Sequence, residues 1–134
     1  MIKNILYVLS GVIIGGAVIY LVESIGHKIY PLPENLDWTD AEALGDHIAT
    51  LPIGAFVMVL LAYLLGSLAG GFMTVLYKNS GMSNSITVGI ILTLLGLLNL
   101  IMIQHPTWFI VVSLSLYAPS AYFGGRLGLR IANN

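Results

Sequence analysis

The chain has 134 residues, 57% of them hydrophobic and 8% charged, with a formal net charge of −1. Soluble domains carry about 25% charged residues, so this composition excludes an ordinary soluble fold or a disordered tail. Five Lys+Arg against six Asp+Glu leave no basic field for nucleic acid, and the absence of Cys excludes disulfides and thiolate chemistry.

What remains is an all-α integral membrane protein of a single domain. About 20 mostly apolar residues span a bilayer. Four stretches meet that requirement, at about 5–26, 52–77, 86–103 and 107–130, with a loop at 27–51 between the first two. Backbone groups in lipid must be satisfied within their own segment, which makes each stretch a helix. No strict apolar/polar alternation suggests a β-barrel. The first stretch is too long for a signal-peptide core and is read as a retained span.

Basic residues set the orientation. Lys3, Lys78, Arg126 and Arg130 lie at one set of span ends and only Lys28 at the other, so both termini are expected on the cytoplasmic side. The loop at 27–51 and the short turn at 104–106 then face outward. Trp38 and Trp108 fall near that outer boundary, where aromatic anchors belong. All the acids (Glu23, Glu34, Asp37, Asp40, Glu42, Asp46) and all the histidines (His27, His47, His105) lie at or near the same face.

The outer loop leaves the first span through Tyr30-Pro31-Leu32-Pro33, an extended exit. Asp37 resembles a helix N-cap, and 38–49 can form a short amphipathic helix lying flat on the membrane surface. Thr50 and Pro52 read as the start of the next span.

Small residues four apart let membrane helices approach closely. Gly11 and Gly15 do this in the first span, Gly66 and Gly70 in the second, and Gly124 and Gly128 in the fourth. Their faces suit a tight bundle or self-association, with a homodimer as the expected oligomer. The second and fourth spans share AYxxGxL, at Ala62–Leu68 and Ala121–Leu127, which suggests a repeat of helical hairpins. Asn99 in the third span reads as interhelical glue. In the fourth span, Ser113, Tyr117, Ser120 and Gly124 form one stripe, and Pro119 frees a carbonyl near Ser115.

Glu23 is the only acid within an apolar span, and His27 follows one turn later. Intramembrane ionisable groups are costly and are often functional. Gly16, Tyr20, Glu23 and His27 fall on one stripe, expected to face the bundle interior. Glu23 and His27 could pass a proton or bind a polar ligand, with His105 meeting them across the mouth and His47 closing over it. Glu23, His27 and His105 together could hold a divalent metal with an open position.

The run Glu23-xxx-His27-xx-Tyr30-Pro31-x-Pro33 with His105-Pro106-x-Trp108 resembles uncharacterised small bacterial four-helix integral membrane proteins. The resemblance covers the whole chain and implies a bacterial inner-membrane location. It brings no established activity or catalytic residues. The leading expectation is a transporter-like or ligand- or metal-binding protein with a Glu/His site at the outer face. The alternatives are an accessory subunit of a larger membrane complex and a metal-dependent membrane enzyme acting on a lipid headgroup.

Overall fold

The computed structural model describes residues 1–134. It contains five helices and no strand: α1 (Ile2–Ile29), α2 (Ala41–Ala49), α3 (Ile53–Val75), α4 (Met82–Met102) and α5 (Thr107–Ala132). Three of these, α1, α3 and α4, are long and apolar enough to cross a membrane, with mean hydropathies of 2.4, 2.1 and 2.2 in their most apolar stretches. The sequence suggested four spans. α5 is 26 residues long, but Ser113, Ser115, Pro119, Ser120 and Arg126 dilute its apolar character.

The long helices bury their small residues and turn their large ones outward. Ile13, Leu21, Leu98 and Ile101 are exposed, whereas Ala62, Gly66, Gly70 and Ala121 are buried. This inverts a water-soluble core and suits helices surrounded by lipid. Helix α3 is central, with α1, α4 and α5 packed against it. α1 runs antiparallel to α3 along paired glycines. A Cβ on Gly70 would stand 2.6 Å from the Gly11 carbonyl oxygen, and one on Gly66 would stand 2.6 Å from that of Gly15. α5 runs parallel to α3, with Gly124 against the Leu68 carbonyl and Gly128 facing that of Phe72. All these glycine faces are therefore occupied within the chain.

The AYxxGxL motif does not repeat in space. Tyr63 is buried, whereas Tyr122 faces outward. Asn99 is exposed and is no interhelical bridge. α5 continues through Pro119. The Ser115 hydroxyl donates to the Val112 carbonyl, at 2.7 Å, instead of serving the carbonyl near the proline.

Side-chain hydrogen bonds close the end opposite α2. Thr74 Oγ1 donates to the Tyr7 carbonyl at 2.8 Å, Ser80 Oγ to the Thr74 carbonyl at 2.6 Å, and Ser85 Oγ to the Ala121 carbonyl at 2.6 Å. Asn79, at φ 67°, makes the turn between α3 and α4, and asparagine tolerates that left-handed conformation.

The loop before α3 departs from the expected helix at 38–49. Asp37 accepts from the amide and hydroxyl of its near neighbour Thr39, at 2.9 and 2.7 Å. Asp40 is the N-cap instead, accepting from the amides of Glu42 and Ala43. Thr50 terminates α2 by donating to the His47 carbonyl, and Pro52 occupies the N-cap of α3. The apolar face of α2 does not point away from the bundle. Leu44 is buried, and Gly45 rests on Gln104 of the α4–α5 turn. α2 therefore folds over the end of the bundle.

Candidate functional site

Beneath α2 lies a cavity of about 290 Å³. α1 contributes Glu23, Gly26 and His27, while α2 contributes Leu44, His47 and Ile48. Tyr30, Leu32 and Trp38 come from the loop between them, and α3 supplies Ala55, Phe56, Met58, Val59 and Tyr63. Leu51, Asn99, Ile103, His105 and Phe109 complete the wall. Every histidine in the sequence, together with Glu23, thus borders one space, although they come from α1, α2 and the α4–α5 turn.

Tyr20 does not join them. It is exposed, and Gly16 below it has no neighbouring atom within 4 Å of an added Cβ. The inward stripe of α1 runs through Gly11, Gly15, Ile19, Glu23 and Gly26, one residue out of step with the expected stripe. Glu23 belongs to both stripes, which is why it is partly buried while Tyr20 and His27 are exposed. His27 is exposed and stands at the rim.

Glu23 on α1 and Tyr63 on α3 are the lining residues of those helices nearest mid-bundle. Beyond Tyr63, the ring of Tyr117 lies 5.0 Å away and is itself buried. Phe109 joins the upper wall to this pair through tilted contacts with Phe56 and Tyr63. The sequence marked Tyr117 as part of the polar stripe of the last span and Tyr63 within the AYxxGxL motif, but gave no sign of Phe56 or Phe109 as walls of a site. Phe56 and Tyr63 are seven residues apart, a helical spacing, but in a wholly apolar span they look like any other packing residues.

His105 is held by two contacts. Its ring stacks on Phe109 with centroids 5.3 Å apart and planes 17° apart. Its Nδ1 lies 2.7 Å from the Ile103 carbonyl oxygen. A carbonyl can only accept, so Nδ1 carries the proton and Nε2 of the neutral ring remains an acceptor. His47 contributes a further polar atom, since its Nε2 is buried without a hydrogen-bond partner. Burying such an atom unpaired costs about 1–3 kcal/mol.

Partial burial pushes the His105 pKa down, opposed by its bond to Ile103. The folded state therefore binds fewer protons at this ring than the unfolded chain does, and stability rises with pH across its titration. The contribution is complete above the ordinary value of 6.5 and declines as pH falls below it. Thermal unfolding between pH 8 and pH 5 should show stability falling on the acid side. His105→Gln should flatten that part of the profile, and an unchanged profile would remove His105 as its source.

No three His, Asp or Glu side chains come close enough to hold a metal ion. The expected set of Glu23, His27 and His105 borders the cavity without converging on one point. His27 stands at the rim, and His105 is turned onto Phe109 and Ile103. What the arrangement offers is a mostly apolar, aromatic-walled chamber with one carboxylate and imidazole nitrogens. No Lys or Arg lines it. No protein-family profile, curated protein or solved structure matches the sequence.

Proposed function

We propose that this is an integral protein of a bacterial inner membrane that binds a small molecule in the cavity beneath α2. α1, α3, α4 and α5 cross the bilayer, with both termini and the α3–α4 turn cytoplasmic and α2 on the outer side. α5 packs along α3 and, at 26 residues, is roughly 39 Å long, enough to cross despite its serines. The excess of Lys and Arg at the end opposite α2 supports the orientation.

One observation carries the binding reading. Glu23, His27, His47 and His105, drawn from two helices and a turn, all border one mainly apolar cavity. Ligand sites are commonly apolar chambers with a few convergent polar groups. The unpartnered His47 Nε2 supports the same reading, because a ligand can supply its missing partner. The accessory-subunit reading loses its main motive, since the glycine faces that suggested it pack within the chain.

α2 is the cover of this site, which makes a specific prediction. A Cβ on Gly45 would lie 3.1 Å from the Gln104 Cβ, just short of the range that a disulfide joins. The chain has no native cysteine to interfere. Gly45→Cys with Gln104→Cys should cross-link spontaneously under mild oxidation. The oxidised protein should release its bound small molecule at least tenfold more slowly than the reduced protein. Failure to cross-link, or equal release from both forms, would contradict α2 as the cover.

A further inference from the structure

A groove of about 450 Å³ adjoins the cavity on its α4 side. It shares Trp38, Leu44, Asn99 and Ile103 with the cavity, so the two spaces lie side by side. Its far wall includes Leu95 and Leu98, exposed on the lipid-facing side of an apolar helix. A passage over these shared residues, between α2 and α4, would join the cavity to the groove.

From this shape we infer that the ligand is a single-chain cationic amphiphile, a long-chain amine entering from the bilayer. The inference rests on the cavity being a binding site. The chamber holds one carboxylate, Glu23, and no Lys or Arg. Its wall is rich in aromatic rings, whose faces attract a cation and repel an anion. An ammonium head thus has both a counter-charge and ring faces, whereas a carboxylate head would meet Glu23 directly. The groove holds the tail. A chain lying against Leu95 and Leu98 stays in hydrocarbon, so only the head must leave the bilayer interface. Charge and apolar surface are segregated in the site as they are in such a ligand, with Asn99 and Trp38 at the junction.

The sequence contains two tryptophans, so Trp108→Phe leaves Trp38 as the only reporter. This variant, in phosphatidylcholine nanodiscs, would be titrated with dodecylamine, butylamine and dodecanoate while Trp38 emission is followed. Dodecylamine should give a saturable change at a concentration at least tenfold below that needed for butylamine. Dodecanoate should give none. Leu95→Phe with Leu98→Phe fills the groove from exposed positions that do not support the fold. That pair should weaken dodecylamine at least tenfold and leave butylamine unchanged, whereas Glu23→Gln should weaken both amines. Equal affinity for the two amines, or no effect of filling the groove, would overturn the tail assignment while leaving the cavity as a site. Saturable binding of dodecanoate would overturn the cationic head. If neither amine saturates, the amphiphile is wrong, and the α2 cross-link experiment independently judges the cavity.

Discussion

Gly70→Leu is expected to separate α1 from α3 and to lower the thermal midpoint by about 10 °C. The position has no room for a side chain. A Cβ there would meet the Gly11 carbonyl oxygen at 2.6 Å and Val88 Cγ1 at 3.2 Å. The first obstacle is backbone, which no rotamer change can clear. Overpacking typically costs about 1–3 kcal/mol, and the rigid partner places this substitution at the upper end. For a chain of this length, 1 kcal/mol corresponds to roughly 3–4 °C. Gly16→Leu supplies the internal control. It lies on α1, the helix that docks against Gly70, its added Cβ meets nothing within 4 Å, and its thermal midpoint should match that of the unaltered protein. Thermal unfolding of the two variants in one detergent checks the pair. Equal damage from both would mean that α1 does not dock through Gly11 and Gly15.

Glu23→Gln should abolish retention of the bound molecule while leaving the fold as stable as before, or more so. Glutamine keeps the shape of glutamate and removes its charge. In a chamber without Lys or Arg, that charge has no fixed basic partner and bears the cost of partial burial. Removing it relieves the empty protein. A ligand cation, however, loses a charge-assisted hydrogen bond, which is about twice as strong as a neutral one. A loss of 1.4 kcal/mol is already tenfold in affinity. The expected signature is therefore opposite in sign for two readouts, an equal or higher thermal midpoint together with at least tenfold weaker amine binding. A fall in both would mean that Glu23 is structural.

The helices at α1, α3 and α4 were legible because an apolar run of that length has few other solutions in lipid. The packing faces were partly legible as well, since small residues four apart in Gly11–Gly15 and Gly66–Gly70 mark close helix approach, within the bundle or between copies. Which side of α1 faces inward was not. In a soluble helix the polar face marks the outside, but here the outside is also apolar. Stripes through Gly15 and through Gly16 then look alike, and Tyr20 was placed on the wrong one. The cap of α2 was misplaced because Asp37 and Asp40 are equally competent. Thr39 decides it, since its amide and hydroxyl engage Asp37. That the histidines share one end followed from topology. That His27, His47 and His105 border the same cavity depends on α2 folding inward over Gln104, a tertiary contact with no local signal.

Native mass spectrometry after mild extraction, at neutral pH and without chelator, shows whether Glu23 anchors a bound molecule when the unaltered protein and Glu23→Gln are measured side by side. The unaltered protein should carry additional mass matching a small organic molecule, and Glu23→Gln should appear bare. Bare protein in both samples, or the same added mass in both, would contradict a ligand site built around Glu23.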